Sequence, residues 1–190
     1  MRRIADPVLM ALLALSLCAN VYLYRYHDHA QYARVGALRI GDRVPPLDGE
    51  LTTGGRIRLN FDGRPVVLYI FSSTCGWCER NLENARTLAE GVATRYEFVA
   101  LALGDEDVAE YLRERHLTWR VARVAPEVQR AFRLGPTPQT LVIGPGGRVL
   151  HVWTGAYTGT TAESVEQTLG VTLPGMIPVQ PTELAEGQGP

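Results

Sequence analysis

The sequence predicts an α/β fold: a mixed β-sheet flanked by helices, with an N-terminal β-hairpin extension and, ahead of it, an N-terminal membrane helix. Three observations carry this. Val66–Phe71 (VVLYIF) is an unbroken apolar run, the pattern of a central strand buried on both faces, and Glu97–Leu103 (EFVALAL) reads as the next buried strand. Segments with apolar residues at three- and four-residue steps alternate with them, which makes β-α-β units. The last two strand-like segments are joined by Gly144-Pro145-Gly146-Gly147, a hairpin turn, so an antiparallel pair completes a mixed sheet.

At 190 residues the chain has room for one ordinary domain with extensions. It is 46% hydrophobic and 21% charged with a formal net charge of −1, and no basic stripe appears, so nothing points to nucleic acid as a partner. Three cysteines are too few for a disulfide-stapled mini-domain.

The N-terminal run Pro7–Tyr24 (PVLMALLALSLCANVYLY) would make roughly 27 Å of helix, close to the thickness of a bilayer's hydrocarbon core. Arg2 and Arg3 precede it as a positive-inside signal, and Tyr22, Tyr24 and Tyr26 crowd its far end as an interfacial belt would. Its length and its poor Ala-X-Ala spacing favour an uncleaved anchor over the alternative, a cleaved signal peptide. Leu15-Ser16-Leu17-Cys18 lacks the small residue of a lipoprotein box, so Cys18 reads as an apolar residue of the membrane helix. The expected organisation is an anchor in residues 1–26, a polar linker in 27–37, the folded domain in 38–173 and a Pro- and Gly-rich disordered tail in 174–190. The expected location is the bacterial inner membrane, single-pass, with the domain facing the periplasm, where disulfide chemistry is permitted.

Taken in order, Leu38–Leu59 holds short alternating segments punctuated by Pro45-Pro46 and Gly54-Gly55, which reads as a β-hairpin. The VVLYIF strand follows a turn at Asn60–Pro65. A helix beginning near Thr74 or Cys75 would bury Cys78, Leu82, Ala85, Ala89 and Val92. After the EFVALAL strand, Asp105–His116 reads as a helix with Val108, Tyr111 and Leu112 inward, and Leu117–Val124 as a strand. Pro126 suits the first turn of a helix running to about Phe132. Thr140–Ile143 and Arg148–Thr154 are the hairpin strands; no Lys-Ser/Thr follows their glycine cluster, which argues against a phosphate loop. Thr161–Leu169 is the last helix, with Thr160 and Glu163 as a capping box.

The chemistry lies in Cys75-Gly76-Trp77-Cys78, at the junction of the VVLYIF strand and the following helix. Unpaired N–H groups at a helix start favour a thiolate, which makes Cys75 the candidate nucleophile. Cys78 lies one turn in, on the face of Leu82 and Ala85, placed to resolve a mixed disulfide at Cys75. Gly76 and Trp77 form the turn between them. Zinc would need two further ligands, and His116 and His151 are far from a ligand spacing, so no metal is expected. A structural disulfide across three residues would stabilise little. The redox-active Cys75–Cys78 disulfide is therefore the only cofactor the sequence suggests.

Some 60 residues on, Thr137-Pro138 precedes an apolar strand; alone it is a strand-edge proline. From about Gly41 to Leu169 the chain resembles the membrane-anchored, extracytoplasmic thioredoxin-like reductases of the TlpA/ResA type. The anchor, the Gly41…Pro45-Pro46 opening hairpin, the strand into Cys75-X-X-Cys78, an αβ insertion near 105–124 and Pro138-Gln-Thr-Leu-Val-Ile carry it. The resemblance implies a thioredoxin-like sheet and a cis bond at Thr137-Pro138 that lies against the thiols and offers backbone groups to a substrate; Pro136 is not given that role. It also implies reduction of disulfides in periplasmic proteins, including apocytochromes c, with electrons from a membrane donor. The chain departs from the pattern at Thr74, where Trp is common, and at Glu83, where a helix-kinking Pro is common. It departs also at Tyr69, where a buried acid usually serves Cys78, and at Gly144 and Gly146, where the final hairpin carries acids. Glu79 and Glu83 are the nearest acids along the helix, though helix-surface glutamates are ordinarily just solvated.

The sequence thus reads as a membrane-tethered protein thiol–disulfide oxidoreductase, more a reductase than an oxidant, whose partners are protein thiols and disulfides and a membrane electron donor or acceptor. Two alternatives share the fold. A peroxiredoxin needs Thr three residues before its cysteine and an upstream Pro, where this chain has Ser72 and Leu68. A copper-binding assembly factor would hold Cu(I) between two thiolates and a distal His, but spaces its cysteines one residue wider.

Overall fold

The computed structural model describes residues 10, 12–21, 37–104 and 107–176. They fall in two units, Met1–Ala37 and Leu38–Pro190. In the first, residues 12–21 are helical and Cys18 is exposed. Residues 7–9, 11 and 22–24 of the expected anchor, most of the linker and residues 177–190 lie outside the described residues. Among the described residues, no helix is long and apolar enough to cross a membrane.

The second unit is one seven-stranded sheet with the order β2-β1-β5-β4-β3-β6-β7. In chain order the elements are β1 (Leu47–Leu51), β2 (Arg56–Leu59), β3 (Val66–Phe71), α1 (Gly76–Arg80), α2 (Leu82–Val92), β4 (Glu97–Ala102) and α3 (Val108–Glu114). They continue with β5 (Val121–Arg123), α4 (Pro126–Ala131), β6 (Gln139–Ile143), β7 (Val149–Thr154) and α5 (Gly159–Leu169). β3 runs parallel to β4 and antiparallel to β6, so the sheet is mixed, as its sequence predicts.

All six residues of β3 are buried, because it lies between two strands and under both faces of the sheet. Val67, Tyr69 and Phe71 join one core with Cys78, Leu82, Ala85, Leu88, Tyr111, Val165 and Leu169 from α1, α2, α3 and α5. Val66, Leu68 and Ile70 join the other, with Phe132 and Leu134 after α4 and Leu38, Val44 and Leu47 from the start of the unit. An aromatic group of Tyr69, Phe71, Phe98, Tyr111 and Trp119 packs the first core at ring separations of 5.7 to 6.5 Å. Full burial of a ring such as Phe71 contributes about 1.5–3 kcal/mol. This cluster packs in the same core as Cys78 of α1, with Cys75 against it.

Four details differ from the sequence-based expectation. The strand expected over Leu117–Val124 shrinks to the three residues of β5, which nevertheless join the hairpin to the sheet by pairing antiparallel with β1 at Glu50 and Leu51. α5 begins at Gly159 with Thr158 as N-cap and no side-chain capping bond; Thr160 therefore lies inside the first turn and the expected capping box does not form. The active-site helix is interrupted at Asn81, whose φ of −92° and ψ of 3° separate α1 from α2 without a proline. Ala89 is only half-buried, and Leu88 occupies the core position instead.

Beyond α5 the chain remains fastened: Leu173 donates its N–H to Glu166 Oε1 at 2.7 Å and Gly175 to Asn84 Oδ1 at 2.9 Å. At the final hairpin, Gly147 has φ +73° and its Cα lies against Val44, whose carbonyl oxygen would stand 2.3 Å from any Cβ. Val44 N–H donates to Gly147 C=O at 2.9 Å, and this contact ties the N-terminal segment to the β6–β7 turn.

Candidate active site

The end of β3 delivers the chain to the site through Ser72, Ser73 and Thr74. Cys75 is extended, at φ −84° and ψ 107°, and caps α1: its Sγ accepts the N–H of Cys78 at 3.2 Å. The Cys75 backbone N–H is held by Ser72 C=O at 3.2 Å, and Ser72 and Thr74 hydroxyls meet at 3.0 Å. A cap of this kind leaves the sulfur half-buried at the helix start, among N–H groups with no helical partner.

The polypeptide brings Thr137 and Pro138 to the same place from 62 residues away. The Cys75 thiol donates to the Thr137 carbonyl at 3.4 Å, and the Thr137–Pro138 peptide is cis. Pro138 C=O accepts the Gly155 N–H at 2.7 Å, which secures the segment to the end of β7. Of the residues singled out in the sequence, Cys75, Cys78, Gly76, Trp77, Thr137 and Pro138 are thus assembled around one sulfur.

Cys78 is 2% exposed. Burial pushes its thiol up to about 12, with the adjacent Cys75 adding to the rise. Cys78 is accordingly protonated at neutral pH. Both cysteines are free thiols in this structure.

Tyr69, at the position six residues before Cys75, is buried within the same core, and burial raises its hydroxyl well above the ordinary tyrosine value. It meets a fully buried amide: Asn81 Nδ2 donates to Tyr69 Oη at 3.5 Å. Asn81 Oδ1 accepts from Asn84 Nδ2 at 3.0 Å and from the Tyr157 N–H at 3.0 Å. Tyr157 is buried as well and shares a hydrogen bond with Thr140 Oγ1. A neutral polar network therefore underlies the thiols, linking β3, α2, β6 and the segment before α5. Asn81 and Asn84 were not singled out in the sequence; their signal was polar side chains at helical spacing from Cys78 on its buried face.

The two candidate stand-in acids are otherwise engaged. Glu79 accepts from Arg115 Nε at 2.8 Å and from Tyr111 Oη at 3.2 Å, which fastens α1 to α3. Glu83 faces Arg86 at 3.5 Å on the helix surface. His151 stacks on Trp153 with ring centroids 5.3 Å apart. Among the described residues, no group of three His, Cys, Asp or Glu side chains could hold a metal ion.

The chain matches no protein-family model and no curated protein. Solved structures do match. The thioredoxin domain of a thiol-disulfide oxidoreductase from Bacteroides vulgatus superposes with a TM-score of 0.57 at 17% identity, over 70% of this chain and 99% of that one. A protein assigned as thiol:disulfide interchange protein DsbE from Chlorobium tepidum gives 0.58 at 25% identity, over 69% and 95%. StoA from Bacillus subtilis gives 0.56 at 16% identity, over 66% and 98%. The chain has the thioredoxin fold, and the Bacteroides vulgatus and Chlorobium tepidum neighbours on that fold are named as a thiol-disulfide oxidoreductase and a thiol:disulfide interchange protein.

Proposed function

We propose that this chain is a membrane-tethered, extracytoplasmic protein thiol–disulfide oxidoreductase that works as a reductase. The observation that carries the reading is the asymmetry of the thiol pair. Cys75 is half-exposed at a helix cap against the Thr137 carbonyl, and Cys78 is buried one turn behind it and protonated. In this mechanism the Cys75 thiolate attacks a client disulfide, forms a mixed disulfide and releases one client thiolate. Cys78 then loses its proton and attacks the Cys75 sulfur. The Cys75–Cys78 bond forms, the second client thiol leaves, and two electrons have passed to the client. A dithiol donor at the membrane would restore the pair. The apolar run of residues 7–24 behind Arg2 and Arg3 supports the tether and its orientation.

Cysteine replacement tests the roles. Cys75→Ser abolishes exchange, whereas Cys78→Ser retains the first step and accumulates mixed disulfides with clients, read on non-reducing gels. Trapping by Cys75→Ser instead, or turnover by it, would reverse the assignment. Equilibration of the full chain with dithiothreitol or glutathione fixes the direction: a potential near about −270 mV supports a reductase, and one near about −120 mV an oxidant.

A further inference from the structure

The surface beside Cys75 carries a pair of side chains that the exchange chemistry does not use. Trp77, two residues after the nucleophile, is 55% exposed, although most large apolar side chains of the folded unit are buried. The Arg80 guanidinium carbon lies 4.6 Å from the centroid of its ring. Both stand on α1, within about one and a half turns of the cysteine that caps it.

Arg80 differs from the arginines around it. Arg86 and Arg115 are each held by a carboxylate, Glu83 and Glu79 respectively. Arg80 forms no ion pair among the described residues, and its Nε is buried with no hydrogen-bond partner. The acid next to it in the chain, Glu79, is already occupied by Arg115 and Tyr111. A stacked guanidinium keeps its N–H edge free while the ring covers its face, and that edge matches a carboxylate bidentately. The buried Nε lies out of a client's reach, so the terminal Nη1 and Nη2 groups form the edge that a client carboxylate would meet.

We propose that Trp77 and Arg80 form a client-selecting lip: the indole packs an extended client strand, and Arg80 favours a carboxylate two or three residues from the client cysteine. At about 3.3 Å per extended residue, that spacing matches the rise of about 7.5 Å from Cys75 to Arg80 along α1. The inference rests on the reading of Cys75 as the attacking thiol. Acidic flanks are preferred, neutral flanks are tolerated and basic flanks are repelled.

The test uses three disulfide-bridged fluorogenic peptides, identical except for Asp, Asn or Lys at that flanking position, with the full chain recycled by dithiothreitol. The ratio of kcat/KM for the Asp peptide to that for the Lys peptide is expected to be about tenfold at low salt, the lower end for a charge-assisted hydrogen bond. It falls as salt screens the pair. Arg80→Gln brings the ratio to about one, and Arg80→Lys restores part of it. A ratio of one in the unmodified protein, or an undiminished ratio in Arg80→Gln, overturns the proposal. No turnover of the Asn peptide overturns thiol exchange itself and this inference with it; turnover without charge preference overturns only the selection.

Discussion

The buried thiol of Cys78 makes the stability of the reduced protein fall with pH before any other buried group acts. In the unfolded chain a cysteine ionises near about 8.5. In the folded protein, burial holds Cys78 up to about 12. The folded state therefore keeps a proton that the unfolded state releases, and stability declines as pH rises above 8.5. The contribution is complete below pH 8.5 and is lost by about pH 12, at about 1.4 kcal/mol per pH unit in between. From pH 7 to pH 10 the loss is about 2 kcal/mol, a large part of the stability of a small domain. Tyr69 and Tyr157 are also raised by burial, but they begin to contribute only above their ordinary value of 10.0 and are common to every variant compared. The assay is urea unfolding of the reduced protein at pH 7, 8, 9 and 10, with Cys78→Ser in parallel. The unmodified protein loses about 2 kcal/mol more than the variant over this range. The oxidised protein, which has no Cys78 thiol to ionise, follows the variant. Parallel declines in all three would refute the reasoning, because burial would then not be holding the proton on Cys78.

Two further substitutions test the framework of the site. Gly147→Ala places a Cβ 2.3 Å from the Val44 carbonyl at φ +73° and costs about 2–4 kcal/mol in urea unfolding, whereas Gly146→Ala, at φ +69° in open space, costs only about 1 kcal/mol. Equal costs would show that the Val44 contact does not constrain the turn. Asn81→Leu leaves the Tyr157 N–H and the Asn84 amide without their acceptor and lowers stability by about 2–4 kcal/mol. Tyr69→Phe, which removes only one long hydrogen bond at 3.5 Å, costs under about 1 kcal/mol, and thermal melting of the pair checks the order.

Thr137 and Pro138 came from the family resemblance, whereas local pattern was enough to read the strand–helix alternation, the buried β3 and β4, the antiparallel closing hairpin and Cys75, Gly76, Trp77 and Cys78 at the site. Each rests on periodicity within one segment or on a short motif whose chemistry is local: Cys75 and Cys78 are one helical turn apart wherever that helix is placed. What escaped was set by partners distant in the chain. Asn81 reads as a surface amide until Tyr157, 76 residues later, supplies the N–H it accepts, and Tyr69 and Asn84 close around it. The three residues of β5 carry too little pattern to announce that they bridge the hairpin to the sheet. Thr160 has the residue type of a cap, but α5 starts at Gly159 with Thr158 as its N-cap, directly after the buried Tyr157. Sequence alone determined which groups could do thiol chemistry and the order of the elements that present them. Tertiary structure decided which groups lose water: Cys78, whose burial keeps it protonated, and the Nε of Arg80, which has no hydrogen-bond partner among the described residues. Desolvation depends on everything that packs around a group, and no window of neighbouring residues contains that information.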